Sequence, residues 1–118
     1  MKKEVRYQKL VRDGIPAILK AKGIKAEIRK IAPSDLLFFL IEKLQEETKE
    51  LWDAEPDHKA EELADIFEVL EATLIHLGIP MEKVLEIKEA KKAERGGFAK
   101  GVFLVKTIQA SNVRAEQK

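Results

Sequence analysis

The sequence predicts an all-α protein. Two long segments carry apolar residues at helical spacing, Pro and Gly signals fall between the helical runs, and strand-like alternation is confined to two short stretches. The expected architecture is an antiparallel helix bundle, with a small two-stranded β element formed by segments near the two ends. At 118 residues the chain suits one domain, residues 1–118, with one core.

Residues 5–23 read as a loop followed by a short helix, with Pro16 in its first turn and Gly23 near its end. Residues 26–31 alternate weakly enough to suggest a strand. Pro33, Ser34 and Asp35 supply an N-cap and a first-turn acid for a long helix to about Trp52, with Leu37, Leu40, Ile41, Leu44, Thr48 and Leu51 on one stripe. Residues 36–41 are apolar all round, which points to a second subunit covering them.

Glu55, Pro56 and Asp57 break that helix. A second runs from about His58 to His76, with Leu63, Ile66, Phe67, Leu70, Leu74 and Leu77 at core spacing and Gly78 ending it. Pro80 opens a third, with Met81, Val84 and Leu85 directed inward, that stops at Arg95 before Gly96 and Gly97. Residues 102–105 are a second candidate strand, a partner for 26–31. The polar tail from about residue 109 is expected to fray.

Composition narrows the function classes. No apolar run reaches the length of a membrane span, and the first residues lack a signal core, so neither membrane nor secretion is expected. With no cysteine there is no disulfide framework; a cytoplasmic location follows as the default, and any metal must be held by oxygen or histidine. The net charge of +1 conceals a sharp division: residues 42–71 hold twelve acids against three bases, a balance of −9, which leaves +10 for the remainder. Such a split suits a cation site beside an anion site, and the acidic segment would repel nucleic acid.

Within that segment Glu47 and Glu50 lie three residues apart on the first long helix, and Glu62 and Asp65 repeat the spacing on the next. Residues at i and i+3 share a helix face, and a short connection makes the helices antiparallel neighbours. Four carboxylates facing one gap suit a hard divalent cation such as Mg2+, which takes oxygen ligands and retains water for a phosphate substrate. Acid-rich helix faces are also commonly just solvated, but here like charges recur at helical spacing, an unfavourable arrangement that a cation reverses. A di-iron bundle would need a Glu-x-x-His motif on two helices; the one match, Glu55 to His58, spans a proline turn.

The third helix segregates its charges, with Lys88, Lys91, Lys92 and Arg95 within about a 100° arc. Cations near a helix C-terminus favour the dipole in any case, but a one-sided set followed by two glycines is also how an anion site is built. Lys9 and Arg12 are further phosphate-binding candidates, with ordinary surface charge as the alternative. Trp52 is expected to pack in the core rather than stack on a base.

Glu46, Glu47 and Glu50, followed on the next helix by Glu62 and Asp65 inside Glu-Glu-Leu-Ala-Asp, resemble the signature of the MazG-like all-α nucleotide pyrophosphohydrolases. Lys9, Leu10, Val11, Arg12 and Asp13 near the start, and Glu94, Arg95, Gly96, Gly97 and Phe98 later, resemble the phosphoribosyl-ATP pyrophosphohydrolase-like branch. The resemblance covers most of residues 7–104. It implies an all-α NTP pyrophosphatase fold and hydrolysis of a nucleoside triphosphate between the α and β phosphorus, giving monophosphate and pyrophosphate. By it, Glu47, Glu50, Glu62 and Asp65 are ligands to magnesium, for which manganese is the expected substitute, and Glu46 positions or deprotonates the attacking water. Lys9, Arg12, Lys88, Lys91, Lys92 and Arg95 then bind phosphate, and the protein is a dimer or tetramer.

The interval between Glu50 and Glu62 is short for that family and trims a loop that shapes the nucleotide pocket in many relatives, which leaves base preference open. House-cleaning of noncanonical or surplus nucleotides is the leading expectation. The alternatives are the phosphoribosyl-ATP step of histidine biosynthesis and a non-catalytic helical interaction module.

Overall fold

The fold is described from a computed structural model over residues 3–110. Residues 111–118, the greater part of the tail expected to fray, lie outside the described residues. The elements are α1 (Ile15–Ala21), α2 (Pro33–Asp53), a 3-10 turn (Pro56–His58), α3 (Lys59–Leu77) and α4 (Met81–Arg95). The protein is all-helical as the sequence predicts, but no strand occurs among the described residues. Residues 26–31 and 102–105 are irregular, which corrects the expected β element. A two-stranded ribbon without a third strand or a covering helix is marginal in water.

The chain divides into two compact units, Met1–Lys83 and Val84–Lys118. In the first, the main tertiary packing is between α2 and α3. α2 starts with Pro33 at its first position, where a missing N–H is no loss and the fixed φ suits a helix. Ala32, with ψ 145°, is the residue at the boundary, and no side chain caps the helix. Ser34 therefore lies inside the helix and is not its cap, while Asp35 is the first-turn acid expected.

The last turn of α2 has no basic residue of its own. Lys59, at the start of α3, donates instead to the carbonyls of Leu51 at 2.8 Å and Trp52 at 3.5 Å. A cation thus meets the negative end of the helix and satisfies two of its unpaired carbonyls. The same contact pins the hairpin. Lys59 lies beside Leu51 while Glu62 and Asp65 lie beside Glu47, so α3 runs back along α2. Gly78 closes α3 at φ 68°, with its N–H donating to Ile75 O at 3.1 Å and the Ile79 N–H to Leu74 O at 3.0 Å. Glycine adopts that left-handed conformation without the penalty a Cβ would bring.

The buried seam matches the predicted apolar stripes only in part: Leu40, Leu44 and Leu51 on α2 and Ile66 and Leu74 on α3 are buried or half-buried as expected. Its most enclosed residues are Leu40 and Val69, with Glu47 between polar neighbours; Lys43, Leu44 and Leu51 on α2 and Glu62, Ile66 and Thr73 on α3 are half-buried. The predicted α3 stripe lies largely outside it, with Leu63 and Leu70 exposed and Phe67 at 63% exposure. Trp52 is 83% exposed, which corrects its assignment to the core. On α2, Leu36 and Phe39 are half-buried and Leu40 is buried, whereas Phe38 and Ile41 face water. α4 buries none of its residues. Met81, Val84 and Leu85, expected to point inward, are exposed; for Val84 and Leu85, no second helix occurs among the described residues of their unit to cover them.

With so small a seam, its apolar members should matter out of proportion to their number. Leu40→Ala should lower the unfolding free energy in urea by about 2–4 kcal/mol, while Trp52→Ala should change it by no more than about 0.5 kcal/mol.

Candidate metal centre

Glu47 on α2 and Glu62 and Asp65 on α3 each bring a carboxylate oxygen within 4.8 Å of the other two. Helical spacing on α3 puts Glu62 and Asp65 one turn apart on the same face, and the hairpin delivers Glu47 opposite them. Three of the four predicted ligands are thus brought together. Glu50, one turn along from Glu47, lies outside that tight group but within its field. Its carboxyl is held above the usual glutamate range by loss of surrounding water and by the charges of Glu47, Glu62 and Glu46.

Glu47 is 5% exposed, unusual for a carboxylate. One oxygen accepts from Lys43 Nζ at 3.2 Å; the other, Oε2, is buried and has no partner. Glu62 Oε2 is orphaned in the same way. An unsatisfied buried acceptor costs about 1–3 kcal/mol and rarely persists without a reason. Two of them on side chains that share one gap form a ready-made oxygen cradle for a hard cation.

The N-terminal segment reaches this seam. Gln8, at φ 51°, turns the backbone through a left-handed conformation uncommon outside glycine. Lys9 follows, and its ammonium lies 3.3 Å from Glu46 Oε1, while Arg12 Nη2 donates to Asp65 Oδ1 at 2.8 Å and Nη1 lies 3.7 Å from Glu68. The hydrogen bond to Asp65 is the main cause raising the Arg12 pKa. Glu46 also accepts from Lys43 at 3.1 Å. Burial alone would raise the Glu46 pKa, but the bonds from Lys43 and Lys9 outweigh it and hold the group below the usual range. For Lys43, burial works toward a lower pKa, and the bonds to Glu46 and Glu47 overcome it to give a net rise.

Lys43 and Glu68, which the structure adds to the site, are not among the residues the sequence singles out. Lys43 precedes Glu46 by three positions and Glu47 by four, a spacing that signals ion pairing on a helix face; Glu68 follows Asp65 by three. Lys9 and Arg12, read as phosphate binders, are engaged with carboxylates. Lys88, Lys91, Lys92 and Arg95 are exposed on α4, in the second unit, where Lys88 pairs with Glu89 at 3.2 Å. An open groove of about 360 Å³, lined by Tyr7, Lys9, Phe39, Lys43 and Glu46 among others, lies between the N-terminal segment and α2.

Around the seam, six carboxylates (Glu46, Glu47, Glu50, Glu62, Asp65 and Glu68) meet three cations (Lys9, Arg12 and Lys43). With every acid ionised the local balance is −3, and one divalent cation reduces it to −1. Compared with protein-family models, with curated proteins and with solved structures, the chain finds no match. No helix among the described residues is long and apolar enough to cross a membrane.

The raised Glu50 group gives a pH dependence with a definite sign. The folded chain holds this proton more tightly than the unfolded chain, so its contribution to stability is present at low pH and is lost as pH rises through the folded value. In chelator-treated protein, Glu50→Gln should therefore melt at a higher temperature than wild type near neutrality. The advantage should vanish as the pH falls to the ordinary glutamate range, about pH 4; thermal melts across that range check it.

Proposed function

We propose that this chain is a magnesium-dependent nucleotide pyrophosphohydrolase of the MazG-like type, working in the cytoplasm on nucleoside triphosphates, with house-cleaning of noncanonical or surplus nucleotides as its task. The observation that carries the proposal is the Glu47, Glu62 and Asp65 cluster with two orphaned, buried carboxylate oxygens. The family likeness of the Glu46 to Asp65 pattern supports it further. The donor set is all oxygen and half-enclosed, which fits Mg2+ or Mn2+ and offers nothing to a soft metal.

Glu47, Glu62 and Asp65 hold the cation in this proposal, with Glu50, one turn along from Glu47, as the fourth ligand. When bound, the cation neutralises phosphate oxygens and lowers the pKa of a water for attack on the anhydride. Glu46 orients that water. With its pKa depressed by Lys43 and Lys9 it is a weak base while they hold it, so positioning is the role it fits best. Lys9 and Arg12 supply positive charge to the substrate phosphates and stabilise the charge that develops on pyrophosphate. A dimer or tetramer accounts for the exposure of Phe38, Ile41, Leu63, Phe67 and Leu70.

A non-catalytic interaction module is the second reading, and one observation favours it: Glu46, Asp65 and Glu68 already have counter-ions within the chain. The two separate cleanly. The enzyme should release pyrophosphate from at least one nucleoside triphosphate with Mg2+ and not with chelator, and Glu47→Gln should lower the rate by about 10²-fold or more. Mg2+ at 100 times its dissociation constant should also stabilise the enzyme by about 2.7 kcal/mol. A melt unmoved by Mg2+, together with no release across a panel of canonical and modified nucleotides, sinks the enzyme and leaves the interaction module.

A further inference from the structure

Arg12 stands where its charge opposes the proposed metal. It donates to Asp65 Oδ1 at 2.8 Å, and Asp65 is one of the three residues whose oxygens converge within 4.8 Å. It also has somewhere else to go. Glu68, one turn further along α3 and outside the converging group, already lies 3.7 Å from the other guanidinium nitrogen. The Arg12 side chain is 55% exposed, so it is not locked by packing. It sits in a segment without regular structure between the left-handed Gln8 and the first turn of α1.

We propose that Arg12 is a resident counter-cation of the Asp65 carboxylate, which a divalent cation displaces toward Glu68 and solvent, so that the guanidinium becomes available to an anionic ligand only once the metal is in place. This rests on the metal-centre reading above. Physically, an exposed ion pair contributes little, whereas a dication at the same carboxylate gains from several acids at once and repels the guanidinium. The exchange therefore runs toward the metal. It deals with the apparent conflict between a phosphate-binding arginine and one already bonded to an acid, because the two roles belong to different states of loading.

The obvious alternative is that Arg12 stays put and orients Asp65 for the metal, as outer-shell partners of metal ligands commonly do. The two differ in sign. If Arg12 competes, Arg12→Gln should bind Mn2+ about two- to fivefold more tightly in calorimetric titration, the factor corresponding to loss of one exposed ion pair. Arg6→Gln is the control. It removes a charge of the same sign from the same segment, and Arg6 pairs with Glu4 at 3.4 Å rather than with the seam; its Mn2+ affinity should be that of wild type.

A second readout needs no variant in the binding step. In ¹⁵N spectra of the wild type, the Arg12 guanidinium signals, assigned by their loss in Arg12→Gln, should be resolved in metal-free protein and collapse to the solvent-averaged position on adding Mg2+. Weaker Mn2+ binding by Arg12→Gln, or guanidinium signals that persist unchanged with Mg2+, overturns displacement while leaving the metal centre intact. Absence of Mn2+ binding by the wild type overturns the metal centre, and this inference with it.

Discussion

The structure of the first unit turns on the burial of Glu47 at the seam between α2 and α3. A carboxylate at 5% exposure is tolerated only if its neighbours replace the water it has lost. Lys43, one turn earlier on the same helix, does so for one oxygen. The other oxygen has no partner, and Glu62 repeats the pattern from the opposite helix. Replacing such a seam with apolar residues would make a more stable hairpin, since buried ion pairs seldom outdo a well-packed hydrophobic contact. The acids at this seam therefore come at a cost in stability, which the proposed cation site would explain.

The surrounding charges are arranged in a graded way. Lys43 is half-buried and fixed by two acids on its own helix, a permanent counter-ion. Lys9 and Arg12 come from a distant part of the chain, are more exposed, and touch the outer oxygens of Glu46 and Asp65. Between them the three offset half of the six acids, which limits repulsion within the hairpin and leaves a surplus of negative charge at the seam. Fuller neutralisation would remove that surplus, and less would make the hairpin repel itself.

Helix number, order and approximate ends were legible in the sequence because they rest on local signals: Pro33, Pro56 and Gly78 punctuate the chain, and each acts through its own backbone. The convergence of Glu47, Glu62 and Asp65 was legible too, from i, i+3 spacing and a short connection. What misled was the choice of inward face. Hydrophobic periodicity selects Leu63, Phe67 and Leu70 along with Ile66 and Leu74; Ile66 and Leu74 are half-buried as expected, but Glu62 and Val69 are enclosed where Leu63, Phe67 and Leu70 are not. The reach of Lys9 and Arg12 to the seam, across 37 and 53 residues respectively, leaves no mark in local spacing, and the β element failed because alternation signals a strand without supplying its partner.

The misplaced stripe says something about how the seam and the outer face divide their work. A helix of nineteen residues that sets Glu62 and Asp65 beside Ile66 and Val69 on its more enclosed side, and leaves Leu63, Phe67 and Leu70 in water, departs from the usual order. For a lone hairpin that arrangement is unfavourable on both faces, since apolar area remains wet while charge is withdrawn from water. The two penalties have different remedies. Only a cation or a basic group answers the first, and only another apolar surface answers the second, so the same helix calls for a ligand on its inner face and a cover on its outer one. Covering the outer face would also stiffen α3 and hold Glu62 and Asp65 in register, so that any cation affinity of the proposed site would depend on the state of a surface that contributes no ligand to it.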